Sequence, residues 1–68
     1  MVELELREEF IKLGQAIKAA GFVGSGVEAK IVINEGLVKV NGEVDDRRGR
    51  KLYSGDKVEF EGETLLIK

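Results

Sequence analysis

The 68-residue sequence predicts an α+β domain in which two N-terminal helices pack on a small, mainly antiparallel sheet of short strands. Three observations predict it. Apolar residues recur at helical spacing in two segments between Phe10 and Ile33, and each segment is followed by a glycine, Gly21 and then Gly36. From Leu37 onward the period changes to two, as in a strand. Asn41-Gly42 then supplies the dipeptide favoured by a two-residue type I′ hairpin, whose central residues both take positive φ.

The elements follow in chain order. Val2, Leu4 and Leu6 alternate with Glu3, Glu5 and Arg7, the pattern of a half-buried edge strand. Phe10, Leu13, Ile17 and Ala20 share one helical face, with Lys12, Gln15 and Lys18 on the other, so a first helix is expected from about Glu9 to Ala20 and Gly21 to stop it. The second helix starts at Ser25, where Glu28 three residues later completes a capping box, and Gly36 ends it. Ala29, Val32 and Ile33 form its core stripe, and Lys30 and Asn34 share a neighbouring face at i and i+4. Val27 and Ile31 lie away from that stripe, so they either meet the N-terminal strand or stay exposed.

In the second half, Val38 and Val40 face the core while Leu37, Lys39 and Asn41 face away. Asp45 to Lys51 is polar or glycine throughout and is expected to be an exposed loop, too charged to bury. The chain re-enters the core at Leu52, turns at Ser54-Gly55-Asp56, alternates through Val58 and Phe60, and turns again at Glu61-Gly62-Glu63 before a last strand over 64–68. One domain, 1–68, is expected.

Composition narrows the function classes. There is no Cys and no His, which excludes zinc fingers, disulfide scaffolds, thiol nucleophiles and an imidazole base. No phosphate loop, dinucleotide fingerprint or calcium loop occurs, so no cofactor, metal or small-molecule substrate is expected. Glu59, Glu61 and Glu63 alternate onto a solvent face and its turn rather than forming a site. No apolar run has membrane-spanning length, so a cytoplasmic, soluble protein is expected, and a monomer is favoured.

The net charge of −2 argues against a nucleic-acid partner when taken alone, but its distribution is uneven. Residues 1–9 carry −3, residues 10–51 carry +3 and residues 52–68 carry −2. A basic middle between acidic ends can create a local positive field on an acidic protein.

The ordered run Leu13-Gly14-Gln15-Ala16-Ile17-Lys18, Gly21, Ser25, Ala29-Lys30, Ile33 and Gly36 leads into Val38-Lys39-Val40-Asn41-Gly42. Arg47-Arg48-Gly49-Arg50-Lys51-Leu52 and Gly55-Asp56-Lys57-Val58 complete it. This series resembles the RNA-binding S4 domain, or alpha-L motif, over most of the chain. The Arg-rich run resembles its small stand-alone YaaA-like and YbcJ-like branch, where the domain is the whole protein. Two departures occur: Ile11-Lys12-Leu13-Gly14 replaces the Arg-Leu-Asp run of larger members, and Gly26 replaces a frequent Arg or Lys after Ser25.

The resemblance implies a non-catalytic protein that binds structured RNA, rRNA or tRNA, and acts at the ribosome in assembly or translation. Its contact surface is expected to include Lys18, Ser25, Lys30, Asn34, Lys39, Arg47, Arg48, Arg50 and Lys51. Arg pairs bidentately with phosphate and stays charged at any relevant pH, which suits the Arg-rich loop to this role. Lys12, Asn41 and a base-stacking Tyr53 are weaker candidates, and several of these residues have a plainer reading. The loop cations can pair with Asp45 and Asp46, Ser25 can serve only as a helix cap, Lys12 and Lys18 can solubilise a helix, and Asn41-Gly42 and Tyr53 can be turn and core. The alternative function is a protein-interaction adaptor that docks through its acidic strands or the Val27 and Ile31 surface.

Overall fold

The computed structural model describes all 68 residues and contains two helices and seven short strands. In order these are β1 (Val2–Leu4), β2 (Ile11–Lys12), α1 (Leu13–Ala19), α2 (Gly26–Asn34), β3 (Val38–Val40), β4 (Glu43–Val44), β5 (Lys51–Leu52), β6 (Lys57–Phe60) and β7 (Glu63–Ile67). Strands β1, β7, β6, β3 and β4 form one sheet in that spatial order, and β2 pairs with β5 in a second, two-stranded sheet. Every pairing is antiparallel except β1 with β7, where Val2, Glu3 and Leu4 lie parallel to Leu65, Leu66 and Ile67. The N-terminal strand is thus an edge strand, as its alternation predicts.

The sheet's alternation decides which side carries the helices. Val40, Val58 and Leu65 stand in register across three strands and are all buried, as are Val38, Phe60 and Ile67. Leu13, Ala16 and Ile17 of α1, Ala29 and Ile33 of α2, Val23 and Leu52 complete this core. Strand alternation sends Lys39, Lys57 and Glu59 to the opposite face.

The turns follow the sequence reading closely. Asn41 and Gly42 adopt φ 53° and 87°, and Val40 pairs with Glu43 across them. Glu61 and Gly62 repeat the arrangement at φ 50° and 77° between β6 and β7. Gly21 and Gly36 end the two helices in left-handed conformations that cost a residue without Cβ little.

The first helix is shorter than its periodicity suggests. It begins at Leu13 rather than Glu9, because Ile11 and Lys12 are extended and pair with Leu52 and Lys51. Phe10 lies outside the helix, half-buried, with Tyr53 tilted against it at 6.1 Å between ring centroids and the Lys51 ammonium 4.8 Å above it. Tyr53 is 44% exposed, not part of the core. No helix is long and apolar enough to cross a membrane.

Candidate nucleic-acid interface

The Arg-rich loop is not a uniformly solvated run, and Asp45 is the reason. Its residue is only 5% exposed, which corrects the expectation that 45–51 is too charged to bury. A buried carboxylate requires donors, and this one has four. The Arg47 backbone N–H donates to Oδ1 at 2.9 Å, Arg47 Nε to Oδ1 at 3.0 Å, Arg47 Nη2 to Oδ2 at 2.8 Å and Arg50 Nη1 to Oδ2 at 2.7 Å. The Arg47 guanidinium first, with Arg50 beside it, holds the Asp45 carboxyl well below the usual carboxylate range, while desolvation pushes the other way. Asp45 in turn pushes the Arg47 guanidinium up.

The four cations of the run therefore divide. Arg47 and Arg50 are ion-paired, with side chains 67% and 31% exposed. Lys51 sits on β5 over the Phe10 ring. Arg48 occupies the tip of a turn closed by the Arg50 N–H donating to the Arg47 carbonyl at 3.1 Å. No ion pair engages Arg48.

That turn docks on the start of α1. Lys12 offers no acceptor as an N-cap, so the first N–H groups of the helix find partners elsewhere. Leu13 N donates to the Arg50 carbonyl at 2.8 Å and Gly14 N to the Arg48 carbonyl at 3.0 Å. Gln15 Oε1 accepts from Lys12 N at 3.3 Å. The close approach depends on Gly14, where an added Cβ would lie 2.6 Å from Arg48 Cγ.

Docking leaves a concavity between the two helices and the turn, lined by Lys12, Gly14, Gln15, Lys18, Gly26, Ala29, Arg48 and Gly49. Three cations and no carboxylate border it. Gly26 and Gly49 avoid the left-handed region, and a Cβ at either would meet nothing within 4 Å. The fold therefore does not require glycine there, and the two positions leave that part of the concavity's floor without side chains.

The second helix carries the lining outward. Lys30 follows Gly26 by one helical turn and Asn34 follows by two, so both exposed side chains extend the flank that Gly26 begins. Ser25 is the N-cap, its Oγ accepting from Glu28 N at 3.1 Å. The expected reciprocal bond is displaced by one residue: Glu28 Oε1 accepts from Gly24 N at 2.7 Å. Val27 and Ile31 stay on the outer side, 70% and 50% exposed, rather than meeting β1.

Of the residues expected from sequence, Lys18 and Arg48 meet in the concavity, and Lys30 and Asn34 flank it along α2. Lys39 does not join them: it stands across from Glu59 on the sheet face opposite the helices. Lys12 and Gln15 line the concavity although neither belongs to the contact surface expected from the sequence. Their signal was the shared polar face with Lys18, but nothing in the local sequence links that face to Arg48. Asn41 has a structural function, donating from Nδ2 to Asp56 and accepting at Oδ1 from Lys57 N. No group of three or more acidic, His or Cys side chains is arranged to hold a metal ion.

Comparison with known proteins places this geometry in context. Residues 4–68 match the family model described as the S4 domain. The chain is 51% identical over 59 residues to the "Probable ribosome maturation protein RlbA" of Bacillus subtilis, covering 87% of this chain and 83% of that protein. It is 39% identical over 57 residues to YbcJ of Escherichia coli, covering 84% and 81% respectively. The solution structure of YbcJ, described as revealing an alpha-L motif involved in RNA binding, matches with a TM-score of 0.75 at 35% identity and covers 98% of this chain and 86% of that one.

Proposed function

This chain belongs to the S4 domain family, and from that premise we propose that it binds structured RNA, ribosomal RNA in particular, in ribosome assembly or translation. The role is binding rather than catalysis. The observation that carries the reading is the concavity where Lys12, Lys18 and Arg48 face a glycine floor with no acidic neighbour in its lining. Duplex RNA hides its base edges in a deep, narrow major groove, so recognition falls on phosphates and 2′-hydroxyls. Cations on two helices and a loop fit spaced phosphates, and Gly26 and Gly49 let the RNA backbone approach. Lys30 and Asn34 offer contacts further along α2. Arg47, Arg50 and Lys51 add to the positive field around Arg48. The names of RlbA and the description of YbcJ support the same direction.

The test is a titration of purified bacterial ribosomal RNA at several salt concentrations. Each phosphate neutralised contributes about 0.7–0.9 to the slope of log affinity against log salt. Replacing Lys12, Lys18 and Arg48 together by Ala is expected to remove most binding and lower that slope by about 2. Equal affinity for wild type and the triple variant would sink the reading.

One observation favours a second reading, docking on a protein: the exposed Val27 and Ile31 on the outer side of α2. Partners that survive nuclease treatment and are lost on Val27→Ser with Ile31→Ser would favour it, provided the wild type retains no RNA at low salt.

A further inference from the structure

The loop's four cations do not have equivalent surroundings, and the difference traces to one carboxylate. Asp45 is tied to the core strand through its own N–H, which donates to the Val38 carbonyl at 3.0 Å. Its side chain takes both Arg47 and Arg50, the two ends of the turn whose tip is Arg48-Gly49. The carbonyls of Arg48 and Arg50 then accept from the first two N–H groups of α1. The sequence of contacts from Val38 through Asp45 and the arginine pair to Leu13 and Gly14 is continuous. It crosses from the sheet to the rim of the basic concavity. We infer that Asp45 is a positioning residue for RNA recognition: it holds Arg47 and Arg50 as a strut that delivers Arg48 to the concavity beside Lys12 and Lys18.

The inference rests on the RNA-binding reading of that concavity and deepens it. An acidic residue inside a phosphate-binding loop is unfavourable by charge alone, since it subtracts from the field that attracts RNA. Positioning reverses the expectation for a folded, shaped ligand. With the Arg48 backbone fixed beside the concavity, only its side chain remains to be ordered on a phosphate, so less freedom is lost on binding than from a mobile turn. A flexible polyanion, which needs only charge, gains nothing from that rigidity.

The two ligands therefore separate positioning from simple charge and from simple folding. In Asp45→Asn the loop loses one negative charge and frees two guanidinium groups. Retention on heparin is expected to hold or rise, while affinity for purified bacterial ribosomal RNA falls about tenfold. Asp45→Glu, which keeps the charge, is expected to recover part of the ribosomal RNA affinity. Parallel losses on both ligands would mean that Asp45 only maintains the fold, and no change on either would mean that it positions nothing; both outcomes overturn the inference.

Arg47→Gln keeps Arg50 on the carboxylate and supplies a test that does not depend on Asp45→Asn folding. It removes one arm of the strut and leaves Arg48 itself intact, so its ribosomal RNA affinity should fall further than its retention on heparin, whereas Arg48→Ala should lower the salt slope for ribosomal RNA by about 0.7–0.9. Losses of equal size on the two ligands for Arg47→Gln would make Arg47 a plain charge contact and overturn the inference. Wild-type protein that binds no ribosomal RNA at low salt would instead remove the underlying reading.

Discussion

Asn41 Nδ2 donates to Asp56 Oδ1 at 3.1 Å, joining two turns that lie 15 residues apart in the chain. Asn41 Oδ1 accepts from Lys57 N at 3.0 Å, and Asp56 Oδ2 accepts from Tyr53 N at 2.8 Å. The Asn-Gly hairpin and the Gly-Asp turn are therefore one cross-linked unit. Asn41 also tolerates its left-handed φ better than most side chains do. Asn41→Ala removes both the bonds and that tolerance, and is expected to lower stability by about 1–2 kcal/mol. Ribosomal RNA affinity per folded molecule should stay unchanged. A chemical denaturation curve with a matched RNA titration checks both parts.

Asp45 gives the acid response a defined sign. Its folded carboxyl is held below its ordinary value of 3.8, so the unfolded chain takes up a proton first as the pH falls. The stability it contributes is present above that ordinary value and is lost as pH drops toward the folded one. Asp45→Asn loses the charge-assisted bonds to the two arginines and should be less stable than wild type at pH 7 by about 1–3 kcal/mol, a loss limited by Arg47 and Arg50 being exposed enough to regain water. The gap should narrow below about pH 4. Urea midpoints at pH 7 and pH 3 test this, and parallel curves would contradict it.

Gly14 separates stability from binding. Alanine is preferred to glycine within a helix by about 1 kcal/mol, which opposes the cost of a Cβ 2.6 Å from Arg48 Cγ. The exposed Arg48 side chain can swing away to relieve the contact, so Gly14→Ala should unfold within about 1 kcal/mol of wild type. Its ribosomal RNA affinity should nevertheless fall as far as that of Arg48→Ala. Full affinity in Gly14→Ala would show that the position of Arg48 is unimportant.

Leu65 has the most to lose in the core. It is fully buried in β7, between Val58 of β6 and Val2 of β1. A leucine-to-alanine change in a core costs about 2–5 kcal/mol, while a domain of this size holds roughly 3–10 kcal/mol in total. Leu65→Ala should therefore leave a substantial unfolded population at 37 °C, visible in the dispersion of its amide NMR spectrum. Lys39→Ala, on the opposite sheet face, should alter neither stability nor RNA affinity by more than a small amount.

Local chemistry explains which parts of this molecule can be read from sequence. The Ser25 cap, the Gly36 stop and the turn at Asn41-Gly42 are set within a few residues of themselves, and the buried Val38, Val40, Val58 and Phe60 follow a strict period of two, whereas the bonds from Asn41 to Asp56 and Lys57 are not local. The pairing of Ile11 and Lys12 with Leu52 and Lys51 involves strands of two residues, too short to show any period. It shortens α1 and carries Phe10 away from the helical stripe. Asp45 is legible only as a charged loop residue, since its burial depends on arginines that the turn brings back to it. For the candidate site, the cationic residue types and the loop that carries them can be read from the sequence, while their function in binding stays a proposal. The division of that loop between ion-paired and open cations cannot be read there, because it follows from contacts with α1 and β3.

The parallel pairing of β1 with β7 has a consequence in time. Val2 meets Leu65, so the strand joins the sheet only after a closure spanning nearly the whole chain, while β6 and β7 are connected by a two-residue turn. Closure entropy grows with the length enclosed, and short edge strands open most readily. The order of events should be a helix pair and the antiparallel β3, β6 and β7 strands that assemble early, with β1 zipping on last and peeling off first. Amide hydrogen exchange in Glu3 and Leu4 should outpace that in Val58 and Leu65. The folded protein would then spend brief intervals with Leu65 partly uncovered on the β1 side while its Arg48 turn remains docked.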